Sequence, residues 1–172
     1  MTLVTASIDI DAPPERVYDT MLDPSRLQEW VTIHRRVNRT DDGEPHEGYE
    51  MEQTLCLRGA NFKVRWTLTE AEKPDTATWE GRGPAHSYAR TSYHLSERDG
   101  GGTHFDYENE FKPPGGMLGA AASRVLIGGI PEREAHRTLE RLKAMLEAKA
   151  KDLALLRLRE QLLSRRRAPA AP

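Results

Sequence analysis

Five side chains stand in otherwise apolar rows of this sequence and can hydrogen-bond to a bound molecule: Gln53, Thr91, Tyr93, Tyr107 and Asn109. Phenols and amides held in place can polarise a carbonyl or stabilise an enolate by donating to the oxygen on which charge develops. The sharpest case is THFDYENEFKPPGG, residues 103–116. Phe105, Tyr107, Asn109 and Phe111 share one side, and His104, Asp106, Glu108 and Glu110 the other. Alternation of that kind marks a half-buried strand. The acidic side can face water, but an unpaired amide on the apolar side costs roughly 1–3 kcal/mol. Asn109 therefore needs a partner. One alternative needs no bound molecule: Asn109, Gln53, Tyr93 and Tyr107 bond to one another or to backbone at a bend.

Stronger catalytic constellations are missing from the sequence. His34, His46, His86, His94, His104 and His136 are scattered, with no HExxH pair and no Cys/His spacing of a zinc site. His94 and His104 fall on the outward phase of adjoining strands and read as a cross-strand surface pair, while His86, in GPAHSY, reads as a surface residue near a strand end. Cys56 shares a phase with Thr54 and Arg58, away from the apolar face. As the single cysteine it excludes an internal disulfide and fits a reducing compartment. There is no GxSxG elbow. GRG at 81–83 opens no helix, and PPGGMLG lacks the GK[ST] of a phosphate loop. Asp106, Glu108 and Glu110 read as a solvated face, and no Asp or Glu falls on an inward phase. No catalytic residue, metal or cofactor is assigned.

The chain of 172 residues is sized for one domain with a real core. Its 37% hydrophobic and 30% charged residues suit a globular protein, and a net charge of −2 gives no field that would attract nucleic acid. MTLVTASIDIDAPPERVY has neither a basic n-region nor an apolar h-region, so a signal peptide is not expected. No apolar run is long enough to span a membrane. The expected location is cytoplasmic.

Period-two patterning predicts the elements that carry these residues. LVTASIDID opens as a strand; APPERVYDTML and DPSRLQEW follow as two short helices, the second capped by Asp23; and IHRRVNRT is a weak strand. Tyr49, Met51, Gln53, Leu55 and Leu57 share one face of the next strand, which turns through RGAN. Phe62, Val64, Trp66 and Leu68 follow, then Ala77, Trp79, Gly81 and Gly83, then Ala89, Thr91, Tyr93 and Leu95. PPGG ends the sheet. Everything after Gly116 is helical in composition, with a kink or break at Pro131 and an apolar stripe of Leu139, Leu142, Met145 and Leu146. The class is α+β, with six to seven antiparallel strands, two short helices after the first, and one long C-terminal helix.

SIDIDAPPERVYDTMLDPSRLQEW, WEGRGP, SYHLSERDGGGTHFDYENEF, PPGGMLG and LERLKAMLE, in that order, resemble the SRPBCC superfamily. This is the START/Bet v 1-like group, which includes the polyketide cyclase/dehydrase and lipid-transport proteins. The resemblance implies a helix-grip domain: a curved antiparallel sheet wrapped around the C-terminal helix, with an apolar cavity between. It places Gln53, Trp66, Trp79, Thr91, Tyr93, Tyr107 and Asn109 on the cavity wall, with His86 within reach of the mouth. Members bind lipids, sterols, quinones, polyketides or plant hormones; some are enzymes and many only bind. The implied function is carriage of a small apolar ligand such as a lipid, quinone, isoprenoid or polyketide-like molecule, with no catalysis required. The alternatives are a polyketide cyclase/dehydratase-like enzyme and a protein-interaction module acting through the C-terminal helix.

The domain is expected over residues 1–148, followed by an extension over 149–172, within AKAKDLALLRLREQLLSRRRAPAAP. Strong helix formers predict a helix to about Ser164. Leu153, Leu156 and Leu163, with Leu155 and Leu162 alongside, form a face that the domain cannot bury. That face can fray in water, pair with a second chain as a homodimer, or rest peripherally on an anionic membrane through leucines and arginines. Pairing ranks above membrane contact because no aromatic anchor is present.

Overall fold

The computed structural model describes residues 2–57, 59–112 and 130–167. The PPGG stop and the stretch from 117 to 129 expected to be helical lie outside them. Strand β1 (Thr2–Ile10) buries Val4, Ala6 and Ile10 at alternate positions. Helix α1 (Pro14–Leu22) takes Pro14 in its first turn, where a missing N–H is no loss, and buries Val17, Tyr18, Met21 and Leu22. Asp23 then caps a single 3-10 turn, Pro24–Arg26, its carboxylate accepting from the Ser25 backbone N–H at 2.9 Å. The turn leads into α2 (Leu27–Trp30), which buries Leu27 and Trp30.

Six strands follow: β2 (His34–Thr40), β3 (Glu50–Leu57), β4 (Ala60–Glu72), β5 (Thr76–Arg82), β6 (Tyr88–Glu97) and β7 (Thr103–Lys112). They join β1 in one antiparallel sheet of order β1-β7-β6-β5-β4-β3-β2. Register shifts in β2 and between Leu68 and Glu70 of β4 mark bulges, and bulges bend and twist a sheet. Helix α3 (Ile130–Arg167) closes the fold. Pro131 falls in the first described turn of this helix, and the residues that would show a break before it lie outside the described ones; the helix extends past the expected Ser164.

The apolar stripe of α3 faces the sheet as expected. Leu139, Leu142 and Leu146 are at most 1% exposed and share a core with Ile10, Leu68, Trp79 and Phe105. Along its length α3 meets β1 and α2. This is the seven-stranded curved sheet and long helix of a helix-grip fold. Among the described residues no helix is long and apolar enough to cross a membrane.

The outward face is less uniformly wet than alternation alone implies. Thr54 is buried because its hydroxyl and the Asn38 amide bond reciprocally at 2.8 and 3.1 Å. Thr78 is buried by Glu70 at 2.8 Å and Ser92 at 3.2 Å. The expected His94–His104 pair does not form. Register sets Asp106 opposite His94 and Ser96 opposite His104, and the His104 imidazole turns instead to Asp9 on β1, at 2.6 Å. Arg98 reaches the Asp9 carboxylate at 3.4 Å and Asp11 at 3.3 Å. Lys143 of α3 donates to the Asp9 carbonyl, and Glu147 accepts from the Asp11 backbone N–H at 3.0 Å. Polar contacts thus tie helix, first strand and last strand at one corner.

That corner makes a pH prediction. The hydrogen bond to Asp9, followed by the nearby charge of Asp106 and Asp9, holds the His104 pKa above its ordinary 6.5; the same bond, with Arg98 and Lys143 assisting, holds the Asp9 carboxyl below its ordinary 3.8. A raised histidine contributes stability that is fully present below its unfolded pKa and lost as pH rises through the folded one. The lowered carboxyl contributes above its unfolded pKa and loses that contribution as pH falls. The pair is therefore strongest between the two. An NMR titration of the His104 ring should give a midpoint above 6.5, and Asp9→Asn should lower it; an unmoved midpoint would dissociate the two groups.

Candidate functional site

Antiparallel register sorts the inward side chains into rows across the sheet. One row runs Val4, Asn109, Thr91, Trp79 and Leu68 from β1 to β4. A second runs Ala6, Tyr107, Tyr93 and Ala77. A third runs Phe111, Ala89, Gly81, Trp66 and Met51. Six of the seven residues expected on a common wall fall in these rows. Thr91, Tyr93, Tyr107 and Asn109 form the closest group, as two directly opposed pairs on β6 and β7.

The rings pack in two geometries, one edge to face and one tilted. Tyr93 meets Phe105 with centroids 5.6 Å apart at 69°, and leans on Tyr107 at 6.0 Å and 36°. Such pairs are worth about 0.5–1.5 kcal/mol beyond area burial. Burial drives both phenols upward, Tyr93 the more strongly, and Tyr107 is pushed up to about 12, with Asn109 and Thr91 acting in the opposite direction as hydrogen-bonding neighbours. Both are protonated donors at neutral pH. Their rings are nevertheless only half-buried.

Two residues of the expected set have protein neighbours of their own. Trp79 is 6% exposed and packs on Tyr49 at 6.4 Å and 81°, inside the main core. Gln53 is buried and its amide donates to Nδ1 of His34 at 2.7 Å. Burial pulls the His34 pKa down, so the ring is neutral and the bond leaves its proton on Nε2. Gln53 is thus partnered by a residue outside the set. His34 escapes a sequence reading because β2 carries two register shifts, and each bulge breaks the phase count by which inward residues are recognised. His86 is exposed in a 3-10 turn, Pro84–His86, at a φ of 59°. Cys56 is a half-buried free thiol.

Trp66 lies across Gly81. A Cβ on Gly81 would stand 2.6 Å from the Trp66 ring, closer than real Cβ contacts. Glycine here lets the indole lie against the sheet. Gly81→Ala should force the ring away, cost about 1–3 kcal/mol by overpacking, and shift tryptophan emission. Denaturant titration with fluorescence reads both; unchanged stability and emission would mean that the ring is not seated there.

Among the described residues, four buried side-chain polar atoms lack a partner: Arg16 Nη2, Trp30 Nε1, Trp66 Nε1 and Asn109 Oδ1. Two of these, a donor on Trp66 and an acceptor on Asn109, stand on the inward face of the sheet. No group of three or more His, Cys, Asp or Glu suited to a metal occurs among the described residues, and none of their carboxylates is buried. What the face offers is apolar surface, protonated phenols, and unspent hydrogen-bonding capacity.

Known proteins resemble this chain in sequence and in fold. Residues 1–147 match the family described as polyketide cyclase / dehydrase and lipid transport. Toxin Rv0910 of Mycobacterium tuberculosis (strain ATCC 25618 / H37Rv) is 28% identical over 83 residues, 48% of this chain and 58% of that protein. The chain thus spans little more than half the length of that relative. Uncharacterized protein Rv1546 of the same strain is 24% identical over 131 residues, covering 76% of this chain and 92% of its own. The crystal structure of TTHA0849 from Thermus thermophilus superposes with a TM-score of 0.69 at 16% identity, over 86% of this chain and 99% of that one, a likeness of fold.

Proposed function

Because the chain belongs to the polyketide cyclase / dehydrase and lipid transport family, we propose that it binds and carries a small apolar ligand between the sheet and α3. Gln53, Trp66, Trp79, Thr91, Tyr93, Tyr107 and Asn109 line that space in this reading, with Trp79 and Gln53 forming its floor. The observation that carries the proposal is the unpartnered Asn109 Oδ1 on an apolar sheet face. A buried acceptor without a partner costs about 1–3 kcal/mol, and a ligand donor removes that cost. Trp66 Nε1, a donor in the same condition, asks for an acceptor. The ligand is therefore mostly apolar with a hydroxyl or similar donor and a separate carbonyl or ether oxygen. Pockets with few placed polar groups and much apolar surface select ligands of this kind.

Native mass spectrometry of the chain purified without added ligand should show a co-purifying apolar molecule. Titration with fatty acids and quinones should change the emission of Trp66. A flat response across a broad panel, together with an empty chain, would overturn carriage.

The adjoining protonated phenols of Tyr93 and Tyr107 favour a second reading, in which the same space orients a polyketide-like chain and the phenols donate to its carbonyl as an enolate forms. Turnover of a poly-β-ketone surrogate, lost on Tyr107→Phe, would select this reading over carriage alone.

A further inference from the structure

Helix α3 runs 38 residues, about 57 Å at 1.5 Å per residue, and passes well beyond the stripe that the sheet covers. Leu156 is 55% exposed and Leu155 65% exposed on this projecting part. The core stripe does not stop at Leu146. Spacings of three and four continue from Leu146 through Lys149, Leu153, Leu156 and Glu160 to Leu163, in phase with Leu139 and Leu142. A seam of this period is that of a coiled coil.

The two charges in the seam decide what can cover it. Laid antiparallel against itself so that Leu153 meets Leu156 of a second copy, the seam also sets Lys149 opposite Glu160, while Leu146 stays in the core of its own domain. Each contact occurs twice, as a two-fold interface requires. On the flank, Asp152 comes beside Arg159 of the other copy. Asp152 and Glu160 are the two acids after residue 148, so both find a cation. A parallel pair would stack Lys149 on Lys149 and Glu160 on Glu160, and like charges in a seam select against that arrangement. Lys149 and Glu160 are both exposed in the single chain.

We propose that the projecting part of α3 pairs with that of a second copy as an antiparallel coiled coil, held in register by Lys149 and Glu160. Two ligand-binding domains then sit at opposite ends of a short rod. Leu155, on the other side of the helix, stays outside the pair.

Light scattering of the full chain should give a dimer, and Leu156→Asp, outside the core, a folded monomer with an unchanged circular dichroism spectrum. Lys149→Glu and Glu160→Lys should each weaken dimerisation at least tenfold, and the double swap should restore it. A parallel pair would show neither the loss nor the rescue. Spin labels at Ser164→Cys in a Cys56→Ser background should lie about 30 Å apart in the antiparallel pair, against about 10 Å in a parallel one. A monomer at hundreds of micromolar would overturn the proposal. So would a short label distance, or a monomer that sediments with anionic vesicles.

Discussion

Phe105→Ala should destabilise the domain by about 3–5 kcal/mol, the range for emptying a fully buried aromatic site. Phe105 is 0% exposed, stands opposite Ile8 on β1 and Leu95 on β6, and supports the edge of Tyr93. Leu95 and Tyr93 stand on β6, which is laddered to β5 and β7, so the vacated space can collapse only in part. A second consequence separates this substitution from ordinary core loss. Tyr93 would lose the ring that holds its tilt, and Tyr107 would lose part of its own support through Tyr93. Ligand affinity measured well below the new melting temperature should therefore fall as well. Phe105→Leu, which keeps most of the volume, should recover stability more than affinity. Thermal unfolding and ligand titration on the two variants give the four numbers needed. A cost under 1 kcal/mol would mean that the ring is not a keystone of this corner.

Asn109→Leu should act the other way round. The substitution removes an acceptor that has no partner together with the amide's bond to Tyr107, so the two effects offset and the empty protein should lose little stability, the more so if the leucine packs against Val4 and Phe111. Ligand binding should weaken by roughly ten- to a hundredfold, which corresponds to about 1.4–2.8 kcal/mol for one lost hydrogen bond in a dry site. Tyr107 supplies an independent readout. Asn109 favours its ionised form, and without that neighbour its already raised pKa should climb further. Alkaline titration of the tyrosine absorbance reads this directly. Several kcal/mol of lost stability with unaltered binding would assign Asn109 to the framework of the sheet and not to a ligand.

Where alternation was unbroken, the sequence revealed the inward face. In β6 and β7 Thr91, Tyr93, Tyr107 and Asn109 could be placed by counting, because ten-residue strands without bulges keep strict phase. The closing stripe of α3 was legible for the same reason, with period 3.6 in place of two. Counting failed where geometry added a residue. His34 and its bond to Gln53 are hidden by the shifts of β2. Partners outside a strand's own pattern were equally hidden. Asp9 captures His104 because β1 lies beside β7, a neighbour relation that no local window contains. Thr78 and Thr54 look like wet positions by phase and are buried by side chains from adjoining strands.

The pairing of β1 with β7 also bears on how this protein is made. Thr2 lies opposite Phe111, so β1 hydrogen-bonds along its length to β7, which is made about ninety residues later. Until then β1 has an open edge and an apolar row, Val4, Ala6, Ile8 and Ile10, with nothing to hold it. The α3 leucines that cover the same face are synthesised later still. Loop closure over about a hundred residues raises the entropic barrier to completing the sheet. Completion of this domain therefore waits for β7 and α3 to be released. The interval during translation is when β1 most needs a chaperone, and a fusion that delays the C-terminal helix should lower the soluble yield more than one placed before Thr2.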